Sequence, residues 1–176
     1  MESDTNPDKV RTLVEVVGLL AIVASLVFVG IQMKQSQEIA ISTQYQERAN
    51  AAVEMFTGNL QSDLSLRLSG DRLRLTMFGP ESDAILRDWA QERKPQELAW
   101  QFNNFLMLFS IYDNNHFQYS AGFLDEDSWL SLQARMKNVL ANPVNRAMFK
   151  QMSSSFRAPF RQAIDNLIDE IESETK

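Results

Sequence analysis

The chain contains no cysteine and one histidine among its 176 residues. Without thiols it can form neither a disulfide framework nor a cysteine-rich zinc site, and it offers no cysteine nucleophile. With His116 alone, a zinc ion would need two or more carboxylates from elsewhere, and neither a His-Glu-x-x-His nor a Glu-x-x-His pair is present. A Gly-rich phosphate loop, a dinucleotide fingerprint and a serine nucleophile motif are also absent. Glycine and proline are scarce, at six and five residues. There is no Gly/Ser linker, low-complexity tract or internal repeat, so continuous helices joined by short turns are expected. Strand signals are equally sparse. The segment Arg72 to Phe78 alternates charged and apolar residues, but a lone strand would have no partner, and helix or irregular turn is the better reading.

One absence organises the rest: no charged residue lies between Val16 and Ile31. The run Leu13 to Ile31 has 19 residues, which at about 1.5 Å each can cross a hydrocarbon core of about 30 Å. Its one ionisable residue, Glu15, lies a turn from the start, where a carboxylate reaches the headgroup region. A secretory signal would need a basic opening and a small-residue cleavage site. This chain opens with Glu2, Asp4 and Asp8, and no such site follows Val29. A buried soluble helix would keep a polar stripe, which this one lacks. The segment reads as a single-pass transmembrane helix, so the lipid bilayer is its first expected partner. Gly18, Ala21 and Ser25 share one face of it and form a candidate membrane-helix packing seam. Lys9 and Arg11 before the span balance Lys34 and Arg48 after it, so the positive-inside rule does not decide orientation. The short tail carries three acids against two bases, and its translocation would leave the C-terminal domain cytoplasmic.

The expected organisation is residues 1–12 as a tail, 13–31 as the span, 32–57 as a juxtamembrane helical stalk and 58–176 as one helical domain. From Lys34 onward there are 15 basic and 19 acidic residues, a net charge of −4 that disfavours nucleic-acid binding. Gln32 to Thr57 lacks Gly and Pro, so the stalk continues the membrane helix, with Ile39, Ala49, Ala52, Val53 and Phe56 towards one side. Gly58-Asn59 breaks it. Ser62-Asp63 can cap a short helix to about Leu68, with Ser69-Gly70-Asp71 as punctuation. Gly79-Pro80-Glu81 starts another. Pro95 opens the longest soluble helix, apolar on nearly all sides, and Gly122 ends it. Asp125 and Asn142-Pro143 open two more, and an acidic-tailed helix closes the chain. The fold class is all-α: a transmembrane helix continuing into a stalk, then a compact helical bundle.

The run Asp113-Asn114 through Phe117-Gln118-Tyr119-Ser120-Ala121-Gly122-Phe123-Leu124-Asp125-Glu126, with Trp129, Pro143, Phe156 and Phe160-Arg161, resembles a group of bacterial single-pass membrane proteins. Those carry an N-terminal anchor and a helical domain of unknown function. Their anchors end in a Gly-Leu-Gln-Ile-Arg-Gln-like sequence, matched by Gly30-Ile31-Gln32-Met33-Lys34-Gln35. The resemblance covers the anchor and the C-terminal half. Asp113 stands where Glu is usual, and Phe156-Arg157-Ala158-Pro159-Phe160-Arg161 stands where Phe-Ser-Pro-Glu-Phe-Arg is usual. It implies a bacterial inner-membrane location and lends no activity or cofactor.

The richest polar cluster is Asp113, His116 and Tyr119, spaced three and three on the longest soluble helix. An acid beside an imidazole can in principle do acid–base work or supply two metal ligands, and the alternative is an internal polar network tying helices together. Arg135, Lys137, Arg146, Lys150, Arg157 and Arg161 lie in a stretch without acids between Asp127 and Asp165, and five acids follow from Asp165 to Glu174. This candidate basic face can meet anionic lipid or an acidic partner, or be paired within the domain. The leading expectation is non-enzymatic: a scaffold or accessory subunit working through protein–protein contacts, as a homo-oligomer or within a larger integral membrane complex, with no catalytic residues, metal or cofactor. The alternative is a small membrane-tethered enzyme or ligand sensor centred on Asp113, His116 and Tyr119.

Overall fold

The computed structural model describes residues 7–59 and 63–174, and every regular element among them is helical. In chain order these are α1 (Pro7–Asn59), α2 (Asp63–Thr76), α3 (Ala84–Gln91), α4 (Pro95–Ser120), α5 (Glu126–Leu140), α6 (Pro143–Met152) and α7 (Ala158–Glu174), with a 3₁₀ turn at Ser153–Ser155 before α7. The expected cap at Ser62 lies outside the described residues. Packing separates the chain into two compact units, one ending at Thr43 and the other beginning at Gln44.

In the first unit, α1 carries its large apolar side chains outward. Leu13, Val17, Leu20, Leu26 and Phe28 are each more than half exposed. One 18-residue window has a mean hydropathy of 2.6 and none of it is buried, so this helix is long and apolar enough to cross a membrane. The Nε of Arg11 donates to Glu15 at 3.2 Å, placing that carboxylate in a pair one turn long.

In the second unit, α4 packs against α2, α5 and α7, while α3 packs on α6. Phe109, Phe149, Phe160, Leu86, Leu98 and Met136 are fully buried there, each contributing about 1.5 to 3 kcal/mol through removal from water. Phe109 lies 5.4 Å from Phe149 and 6.1 Å from Phe156 between ring centroids, so α4, α6 and the entry to α7 share one aromatic cluster.

The helix ends follow local chemistry. Asp83 accepts from the backbone N–H of Ile85 at 2.9 Å and starts α3, three residues later than Gly79-Pro80-Glu81 suggests. Ser82 instead donates to the Gly79 carbonyl from both its backbone (3.0 Å) and its hydroxyl (2.7 Å), closing Gly79–Ser82 as a turn. Pro95 occupies the first turn of α4. At the other end Gly122 adopts φ +78°, with Gly122 N–H donating to Tyr119 and Phe123 N–H to Gln118, a Schellman motif. Asp125 accepts from Ser128 N–H at 2.8 Å, and Asn142 from Val144 N–H at 2.9 Å. Arg72 to Thr76 is helical and gives way to a turn.

Gly70 corrects the expectation of punctuation after Leu68, since α2 runs straight through it. A Cβ at this position would stand 1.8 Å from the Pro95 carbonyl oxygen. Hydrogen replaces a side chain there because the start of α4 crosses α2 at backbone contact.

Candidate functional site

Arg157 is the residue immediately before α7, following the buried Phe156 in extended backbone. Its Nε donates to Oδ1 of Asp113 on α4 at 2.9 Å, its Nη2 lies 2.8 Å from the same oxygen, and Nη2 also donates to the Asp113 backbone carbonyl. The guanidinium sits over two rings, 5.0 Å from the centroid of Phe117 and 5.6 Å from that of Tyr45. Those rings stack on each other at 3.9 Å, and Arg48 approaches the Tyr45 ring at 5.7 Å. Charge pairing and cation–π contact therefore converge on one guanidinium. A cleft of about 210 Å³ opens here, bordered by Tyr45, Arg48, Asp113, Asn114 and Arg157. The Oδ1 of Asn114 is buried without a hydrogen-bond partner.

Of the sequence-predicted cluster, only Asp113 reaches this cleft. His116 packs against the ring of Trp129 at 5.2 Å and that of Phe160 at 5.8 Å, and its Nδ1 is buried without a hydrogen-bond partner. Burial and the nearby Arg157 guanidinium hold the imidazole below its ordinary pKa, against an opposing pull from Asp113. Tyr119 stacks on Trp129 at 5.2 Å. No hydrogen bond joins Asp113, His116 and Tyr119 to one another. The carboxylate is committed to a guanidinium and the imidazole to ring packing, so a proton relay through the three has no path. Among the described residues, no three of His, Asp and Glu stand close enough to hold a metal ion.

The six bases are divided among different neighbours. Lys137 reaches Glu170 at 2.8 Å and Glu174 at 2.9 Å; Glu172 takes Lys150 at 3.3 Å and Arg146 at 3.8 Å. Its two glutamates raise the pKa of Lys137. Arg157 is held as described, and Arg135 and Arg161 form no ion pair among the described residues. Arg135 acts on buried Tyr112, partly offsetting the upward shift that burial gives its hydroxyl. In the first unit, a Cβ on Gly18 would meet nothing within 4 Å, and Ser25 Oγ donates to the Ala21 carbonyl at 2.8 Å. The small-residue seam is uncovered in the single chain.

Tyr45 and Arg48 were not among the predicted site residues. Their signal is an aromatic and a cation three residues apart in a segment rich in Gln, Glu and Ala, but it names no partner. Comparison with known protein families, characterised proteins and solved structures finds no match for this chain.

Proposed function

We propose that this chain is a membrane-anchored helical scaffold or accessory subunit that presents a folded domain for protein–protein contact at a bacterial inner membrane. The observation that carries this reading is the uncovered apolar length of α1, which has an 18-residue window of mean hydropathy 2.6 with no buried residue. In water that much exposed hydrocarbon would associate or aggregate, whereas a bilayer accommodates it. The resemblance to bacterial single-pass proteins supports the location, and the acidic balance of the N-terminal tail favours a cytoplasmic domain. The interior engagement of Asp113, His116 and Tyr119 favours a structural part for that cluster over an enzymatic one.

The test is to recover the tagged chain from its own membranes. We expect it to resist alkaline carbonate and to be released by mild detergent, either with a second protein in fixed ratio or at a whole multiple of 20.1 kDa. Release by carbonate, or removal of the apolar segment from the mature chain, overturns the anchor. A detergent-extracted monomer with nothing bound overturns the scaffold.

A further inference from the structure

A second cleft, of about 380 Å³, opens where α3, α4 and the corner between α5 and α6 meet. Among the described residues its one cation is Arg93, which lies between α3 and α4. The Nε of Arg93 donates to Gln101 Oε1 at 3.1 Å, Nη1 donates to the Trp89 carbonyl at 2.7 Å, and the guanidinium lies 4.7 Å from the centroid of the Trp89 ring. Arg74 from α2 donates to the backbone carbonyl of Arg93 itself. The side chain is thus held by two hydrogen bonds and the Trp89 ring, and the backbone beneath it by Arg74, yet no carboxylate among the described residues pairs with it. Two of its five N–H groups are used, which leaves the others for an incoming acceptor.

The rest of the wall is neutral and amide-rich. Asn145 spends its Nδ2 on the Val139 carbonyl at 2.8 Å and keeps its Oδ1 as an acceptor. Asn142 spends its Oδ1 on the α6 cap and keeps its N–H groups. Gln101 likewise keeps its Nε2, and Asn104 completes the set. Trp100 borders the cleft and is 48% exposed, so its indole is open to an incoming ring.

We propose that this cleft binds a small sugar acid, with its carboxylate on Arg93, its ring against Trp100 and its hydroxyls on the surrounding amides. A fixed guanidinium without a counter-charge selects an anion, and carboxylates match its fork. Hydroxyls both donate and accept, as this mixture of amide groups requires, whereas a purely apolar acid would leave those amides unpaired. The cleft lies near the small end of the range for ligand sites, which suits a single ring. One cation cannot neutralise a polyphosphate. The inference concerns the folded domain and stands whether or not α1 enters a membrane.

The full chain, purified in a detergent without a sugar headgroup, is titrated with D-glucuronate, D-galacturonate and N-acetylneuraminate in turn, following tryptophan fluorescence and heat. At least one should bind saturably. D-Glucose, which lacks the carboxylate, and acetate, which lacks the ring, should each bind about tenfold or more weakly. Arg93→Met and Trp100→Ala should each weaken the acid by a similar factor. Trp100→Ala removes an exposed side chain outside the core and carries the test if Arg93→Met fails to fold. Absence of saturation by all three acids overturns the proposal. So does equal binding of glucose or acetate, or wild-type affinity in the variants.

Discussion

The Asp113–Arg157 pair couples the middle of α4 to the entry of α7, with side chains 17% and 25% exposed. At that depth the hydrogen bonds are only partly screened. Asp113→Asn keeps the shape and removes the charge, and should lower unfolding stability by about 1.5 to 3 kcal/mol. A double-mutant cycle with Arg157→Met, read from urea midpoints, should return most of that loss as coupling energy; additive single effects would mean that the pair is incidental. His116 gives a pH signature. Its folded imidazole binds a proton less readily than the unfolded one, whose ordinary pKa is 6.5. As pH falls through that value the unfolded state takes up more protons, so stability is highest above it and declines towards the lower folded pKa, then levels. His116→Phe should flatten this dependence between about pH 5 and about pH 8. An unchanged slope would place the titration on other groups.

Among the helices, α2 and α4 make the sharpest claim. Gly70→Ala forces a Cβ into the Pro95 backbone, which cannot yield as a side chain end can, and should cost about 3 kcal/mol or more. Gly58→Ala, with nothing within 4 Å of the added atom, should change stability by less than about 1 kcal/mol. Gly122→Ala must take φ +78° with a side chain and should cost about 1 kcal/mol. Thermal melts of the three variants give the order directly. These positions also show where sequence reading succeeds. Pro95, Gly122, Asp125 and Asn142-Pro143 mark helix ends because capping is written within a few residues of the end itself. Gly70 resembles a break in the same local terms, and only the approach of Pro95 from the next long helix gives it another meaning. The Asp113, His116 and Tyr119 spacing correctly marks neighbouring positions on one helix. It is silent about Arg157, Trp129 and Phe160, which arrive from later elements and take Asp113 to a guanidinium but His116 and Tyr119 to the Trp129 ring. Arg93 is equally hidden, because its partners Gln101 and Arg74 surround it only after folding.

At the scale of the whole chain, the apolar run and the domain make separable predictions. Under the proposed anchoring, Leu20→Arg together with Val23→Arg puts two charges near the middle of the apolar run, at about 2.5 to 3.5 kcal/mol each for insertion. It should shift the chain from the membrane to the soluble or aggregated fraction without changing the buried core around Phe109. Retention in carbonate-washed membranes would disconnect α1 from anchoring. Within the domain, Glu170, Glu172 and Glu174 of α7 pair with Lys137, Arg146 and Lys150. The contact between α2 and α4 also bears on ancestry. A backbone crossing with no volume for a methyl group admits one amino acid, so divergent chains that keep this crossing must keep glycine at position 70 while neighbouring positions drift. Glycine there, with proline opening the following long helix, becomes an inherited fingerprint by which distant relatives can be recognised after overall similarity has faded.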